Sequence, residues 1–140
     1  IILNSMKGKK IPIYGDGKQI RDWLFVEDHV DAIIKILFNK KYINQKFTIS
    51  GNNQVKNIDL VKKICNSLNS LIPSKPNNLK DFKDLIEFVK DRPGHDRKYI
   101  LNSKKITNNL NWKPKFSIDR GIILTLKWYL KNMEWSKDKI

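Results

Sequence analysis

Cys65 is the only cysteine among 140 residues, which excludes an internal disulfide and fits a reducing compartment, so the cytoplasm is the expected location. Histidine is nearly as scarce. His29 and His95 have no further ligands at metal-like spacing, which argues against a metal centre. No apolar run approaches the ~18 residues of a membrane span, since Lys35 interrupts even the stretch from Ala32 to Phe38. The opening residues lack the pattern of a signal peptide, and no membrane partner is expected. Arginine is scarce too: Arg21, Arg92, Arg97 and Arg120 stand against 24 lysines. Where lysine is the default cation, an arginine points to a need for a planar fork that grips phosphate or carboxylate bidentately. The first three of these arginines fall in two short motifs.

What is present argues for one folded domain over residues 1–140. Hydrophobic content is 40%, with four Trp, four Tyr and six Phe, far from the composition of a disordered tail. The formal charge of +14 suggests a nucleic-acid partner. Against that reading, the lysines are scattered along the whole length. Lys (24), Asn (15) and Ile (20) also show the bias of AT-rich coding. No nucleic acid is therefore expected as partner, and a basic nucleic-acid-binding module, with its steep salt dependence, stays the lesser alternative. Cys65 lies on the apolar stripe Ile58, Val61, Ile64, Cys65, Leu68 and reads as a buried structural thiol. The chain opens at Ile1, and its first methionine, Met6, sits inside an apolar-patterned stretch. It is expected to be a piece of a longer polypeptide.

Local patterns give a mixed α/β order. Residues 1–7 read as the end of a helix stopped at Gly8. Ile11 to Tyr14 is a short strand entering the Gly15-Asp16-Gly17 turn. Arg21 to Val26 is extended, and Asp28 is placed to cap a helix whose apolar face runs Val30, Ile33, Ile34, Leu37, Phe38. Lys46 to Ser50 alternates like a strand. A helix is expected over about 58–70, a loop or short helix over 73–84, and a strand over Leu85 to Val89. Ser103 is placed to cap a helix ending near Leu110, and a last amphipathic helix carries Ile118, Ile122, Thr125, Leu126, Trp128 and Tyr129. The regular βαβ alternation of a complete doubly wound sheet is missing.

The densest chemistry lies in Asp91-Arg92-Pro93-Gly94-His95-Asp96-Arg97-Lys98-Tyr99. Pro93 fixes its own φ and pushes Arg92 toward an extended conformation, while Gly94 permits a reversal. Such a turn can hold charged side chains in a fixed fan, as an anion site requires. These nine residues closely resemble a signature of dTDP-glucose 4,6-dehydratases, a branch of the extended short-chain dehydrogenases that act on nucleotide sugars. A second segment, Gln19-Ile20-Arg21-Asp22-Trp23-Leu24-Phe25-Val26-Glu27-Asp28, resembles the Arg-Asp-aromatic-x-x-Val-x-Asp pattern of nucleotide-sugar epimerases and dehydratases. Taken alone, Arg21 and Asp22 could equally be a surface ion pair. Pro12-Ile13-Tyr14 resembles the family strand that contacts the base. Asn57 resembles the asparagine beside the nucleotide, or serves only as a helix cap. Leu110 to Pro114, Phe116, Gly121-Ile122, Thr125 and Trp128-Tyr129 resemble the family's C-terminal packing motif. Ser50-Gly51 departs from the family's usual two glycines, and Asn102 from its aspartate.

The resemblance implies Arg21 and Arg92 on the diphosphate of a dTDP-sugar. It places Pro12, Ile13, Tyr14, Asn57, Asp91, Pro93, Gly94 and His95 around base and sugar, although His95 could be a hydrogen-bonded turn residue. The implied reaction oxidises sugar C4 with enzyme-bound NAD, eliminates water across C5–C6 and returns the hydride to C6. The parts for that chemistry are not in this chain. No Gly-x-Gly-x-x-Gly or Gly-x-x-Gly-x-x-Gly follows a strand. Tyr-x-x-x-Lys occurs at Tyr14/Lys18 and Tyr42/Lys46, but neither stands where a helix can align the pair. The expected architecture is thus the C-terminal, substrate-binding lobe of an extended short-chain dehydrogenase, with the doubly wound NAD-binding sheet largely absent. No catalytic or cofactor-binding residue is assigned. The chain is expected to be inactive alone and to bind no NAD. Its expected partners are the dTDP-sugar and the missing N-terminal half, through which a family homodimer would form. The alternative is a free-standing nucleotide-sugar-binding or regulatory module.

Overall fold

Strand β1 (Ile11–Tyr14) alternates buried Ile11 and Ile13 with exposed Pro12 and Tyr14, so one face enters a core and the other meets solvent. The computed structural model describes residues 1–137 and pairs this strand in parallel with β4 (Ile86–Val89), from Ile11 opposite Ile86 to Tyr14 opposite Val89. Between the two strands in sequence lies α3 (Asn57–Leu71), whose stripe of Leu60, Val61, Ile64, Cys65 and Leu68 covers the pair. Phe82, Leu85 and Leu126 close this main core. Burial pushes the Cys65 thiol up to about 11, as suits an inert core thiol.

A second two-stranded sheet pairs β2 (Ile20–Asp22) antiparallel with β3 (Gln54–Lys56). Strand β3 is too short to read from the sequence: Gln54, Val55 and Lys56 alternate polar and apolar over only three residues. A smaller core of Ala32, Ile106 and Trp112 joins α2 (Val26–Leu37) to α4 (Lys104–Leu110). Helices α1 (Ile2–Met6), α5 (Ile118–Lys131) and α6 (Met133–Lys137) complete the order. Among the described residues, no helix is long and apolar enough to cross a membrane.

Several local expectations change. Asp28 does not cap α2: Phe25 holds that position without a side-chain bond. Asp28 is the third helical residue, buried, and its two oxygens accept from the backbone N–H of Lys115 (2.9 Å) and Phe116 (3.1 Å). A carboxylate there still favours the helix dipole while satisfying a loop that would otherwise bury bare donors. The apolar face of α2 is also turned outward. Val30, Ile33, Ile34, Leu37 and Phe38 are all exposed, and the inward face is Asp28, Ala32 and Ile36. Lys46 to Ser50 forms no ladder among the described residues, although Phe47 and Ile49 pack on the smaller core. Alternation supplied a buried face, but a strand also needs a partner edge for its hydrogen bonds. Ser103 precedes α4 without a side-chain cap bond, and Asn102 Oδ1 instead accepts from Lys104 N at 3.0 Å.

The Ser50-Gly51 departure has a local logic. A Cβ on Gly51 would overlap the Trp23 carbonyl oxygen, so that position must be glycine. Ser50 is buried and its hydroxyl bonds Asp22 Oδ2. Asp22 Oδ1 accepts from Gly51 N (3.0 Å) and Asn53 N (3.3 Å). Asp22 therefore shapes the 50–53 turn and does not pair with Arg21.

Candidate functional site

Where β1 ends, Gly15 N donates to Val89 O at 2.9 Å, and the chain reverses with φ of 59° at Gly15 and 69° at Gly17. Only glycine fits this reversal. A Cβ at Gly15 would stand 2.6 Å from Asp91 Oδ2, and one at Gly17 would meet Ile13 and Ile58. The turn delivers Gln19 into a fully buried position. Its Nε2 donates to Tyr14 O (3.3 Å) and to Asp91 Oδ2 (3.0 Å). The other Asp91 oxygen accepts from Arg92 N (2.9 Å) and lies 2.6 Å from His95 Nδ1. The His95 hydrogen bond, more than any other contact, holds the Asp91 carboxyl below its ordinary range.

The chain after His95 then runs along β2. Ile20 N donates to Arg97 O (2.8 Å) and Tyr99 N to Ile20 O (3.2 Å), so β2 lies between β3 and this segment. That placement brings the two arginine motifs together. Arg21 Nη1 donates to Ile20 O (2.8 Å) and Nη2 to Asp96 O (2.9 Å), and its Cζ lies 4.5 Å from the Tyr99 ring centroid. Arg97 grips both Asp16 oxygens, at 2.9 and 3.2 Å. That bidentate bond is the main reason the Asp16 carboxyl falls to about 2. Asn57 N donates to Gln19 O and Ile58 N to Gly17 O, each at 3.0 Å, which ties the start of α3 to the same turn.

The residues singled out from sequence divide by position. Arg21, Asp91 and His95 meet around β2 and the glycine turn. Arg92, Pro93 and Gly94 are exposed beside them, and the Arg92 side chain makes no hydrogen bond among the described residues. Pro12 and Tyr14 present the open side of β1, whereas Ile13 points into the main core. Asn57 is the first residue of α3, and Lys56, not Asn57, stands at the cap. Tyr14 and Lys18 are separated by the glycine turn, and buried Tyr42 donates its hydroxyl to Asn109 O. Neither pair is a helical Tyr-x-x-x-Lys. Gln19, Asp16 and Tyr99 had no role from sequence, and Arg97 only that of a fork in need of an unnamed phosphate or carboxylate partner. Each stands within a quoted motif or turn, but its contact appears only when β1 and β4 pair.

Two further features bear on ligands. The glycine turn leads into β2, not into a helix, and protein side chains already occupy the space over its glycines, so these residues do not fit a dinucleotide pyrophosphate. A cavity of about 740 Å³ lies elsewhere, against Trp23, Phe25, Phe116, Ile122, Trp128 and Tyr129. None of the residues assigned from sequence lines it, and its mainly apolar wall does not suit a diphosphate.

The family model for GDP-mannose 4,6 dehydratase matches residues 1–125. The chain belongs to this family. The family's curated relatives include the dTDP-glucose 4,6-dehydratase of Haemophilus influenzae, 50% identical over 132 residues, which cover 94% of this chain and 39% of that protein. Among solved structures, the dTDP-glucose 4,6-dehydratase of Bacillus anthracis in complex with NAD superposes with a TM-score of 0.78 at 39% identity, covering 96% of this chain and 39% of that one. The dTDP-glucose 4,6-dehydratase of Streptomyces venezuelae with NAD and TYD bound gives 0.80 at 28% identity, covering 96% and 38%. The chain thus spans about two fifths of the length of these relatives. Its fold is a partial α/β lobe of the extended short-chain dehydrogenase type, as expected from the sequence.

Proposed function

We propose that residues 1–140 are the nucleotide-sugar-binding domain of a dTDP-glucose 4,6-dehydratase, inactive and unable to bind NAD on their own. The observation that carries this reading is the meeting of the two arginine motifs at β2. Arg21 is held by two backbone carbonyls and the Tyr99 ring, and its remaining N–H groups are left for an anion. Arg92, exposed and with no side-chain hydrogen bond among the described residues, is the second cation, and together they take the diphosphate. Pro12, Tyr14, Asn57 and the turn from Asp91 to His95 lie around base and sugar, with Ile13 holding the strand from the core side. Binding remote from the reacting carbons would orient the sugar for a site supplied by the rest of the enzyme. That remainder would also cover the outward face of α2 and carry the homodimer contact, in the cytoplasm.

Calorimetry with dTDP tests the reading. A charge-assisted hydrogen bond contributes roughly 1.5–3 kcal/mol, so Arg21→Lys and Arg92→Lys are each expected to weaken binding about tenfold or more. Lys104→Ala, far along the chain on α4, should leave it unchanged. Equal affinity for both arginine variants and the parent would refute the assignment. Incubation with dTDP-glucose and NAD should yield no 4-keto-6-deoxy sugar, and turnover above a buffer blank would sink the inactivity claim.

A further inference from the structure

Asp91 was assigned from sequence to the ligand pocket, yet both of its oxygens are engaged by the protein itself. Oδ2 accepts from Gln19 Nε2, and Oδ1 accepts from Arg92 N and His95 Nδ1. An ionised carboxylate has no hydrogen to give, so His95 Nδ1 must carry the proton of that 2.6 Å bond. The orientation of Gln19 follows from the same rule. Both neighbours of its nitrogen, Tyr14 O and Asp91 Oδ2, are acceptors, so Nε2 and not Oε1 faces them. Gln19 is fully buried, and its Oε1 has no partner, an energetic cost accepted where the two Nε2 bonds are made. The His95 side chain is 7% exposed, with its Nε2 unbonded among the described residues.

We propose that Gln19 and Asp91 are positioning residues that hold the His95 imidazole with Nδ1 protonated and Nε2 turned to the bound nucleotide sugar. The proposal rests on the nucleotide-binding reading above. Gln19 anchors Asp91 to the end of β1 through Tyr14, and Asp91 anchors the ring, so the relay sets His95 relative to the strand that carries Pro12 and Tyr14. Gly15 leaves the room in which Asp91 Oδ2 sits.

Two measurements on the 140-residue chain decide it. Long-range proton–nitrogen NMR of the imidazole should find His95 as the Nδ1–H tautomer without ligand, and a mixture in Asp91→Ala. Calorimetry with dTDP should show His95→Ala and Asp91→Ala each weakening binding about tenfold, with the double variant no weaker than His95→Ala by more than about twofold. Gln19→Leu should weaken it in the same direction. An Nε2–H tautomer in the unmutated chain overturns the proposal, as do additive losses or full affinity in His95→Ala. If Asp91→Ala loses its far-UV circular dichroism, the tautomer of the unmutated chain and the binding of His95→Ala still decide. A chain that binds no dTDP overturns the nucleotide reading and with it the ligand half of the relay, whereas the tautomer separately decides whether Asp91 holds the ring.

Discussion

Arg21 stacks on Tyr99: the guanidinium carbon lies 4.5 Å from the ring centroid, and the two residues come from motifs 78 positions apart. The Tyr99 hydroxyl bonds Asp96 Oδ2, and Asp96 O accepts from Arg21, so ring, loop and cation form one closed unit. A stack at a half-exposed ring stabilises the arginine geometry by about 0.5–1 kcal/mol.

Removing that ring should therefore loosen Arg21 without removing its charge. Tyr99→Leu is expected to weaken dTDP binding about two- to fivefold, the same energy expressed as affinity. Tyr99→Phe keeps the ring and should stay within about twofold of the parent. Calorimetry on both variants reads the result, and equal losses would mean that the hydroxyl, not the stack, is what matters.

Acid should release the same loop from its other side. Asp16 falls to about 2 chiefly through its bond to Arg97, so the folded pKa lies below the unfolded one. A depressed carboxyl contributes stability above its unfolded value, and that contribution is lost as pH falls toward the folded value, between about pH 4 and pH 2. Thermal midpoints by circular dichroism should drop through that window. Asp16→Asn should begin less stable at neutral pH and show a shallower drop, because the linked proton is no longer taken up there.

Two glycines should respond to alanine for different reasons. At Gly51 the added methyl meets the Trp23 carbonyl, which cannot give way without breaking the 50–53 turn, and a loss of about 3 kcal/mol is expected. At Gly94 there is open space, and only the φ of 68° opposes a side chain, at about 1 kcal/mol. Urea unfolding of the two variants would separate them.

The outward face of α2 should make the chain associate. Leu37 and Phe38 are 71% and 79% exposed beside Val30, Ile33 and Ile34. A contiguous apolar patch of this kind drives self-association, opposed here by repulsion between +14 molecules. Salt screens that repulsion over about 8–10 Å, so light scattering should rise between roughly 0.05 and 0.5 M salt. Leu37→Lys with Phe38→Lys should suppress the rise. A monodisperse monomer throughout would show that the face is harmless as it stands.

Local chemistry was enough to read β1, α3, β4 and α5 from the residues alone. Ile11 and Ile13 alternate, the α3 stripe repeats with helical period, and Ile118, Ile122 and Leu126 recur along one face of α5. The two arginine motifs could be picked out as well, because arginine in a lysine-rich chain marks a geometric need. What local chemistry could not decide was which face or edge would find a partner. The α2 stripe has a strong helical pattern yet faces outward, since a pattern shows that a face is apolar and not what covers it. Lys46 to Ser50 alternates without a ladder, and β3 makes a ladder from an alternation only three residues long, because pairing depends on edges brought from elsewhere in the chain. Gln19 and Tyr99 gained their contacts the same way, once the β1–β4 pairing carried residues 91–99 alongside β2. Sequence determined the elements and the charged groups available to a ligand; tertiary structure decided which of those groups meet, because hydrogen bonds act over about 3 Å and only packing brings distant residues that close.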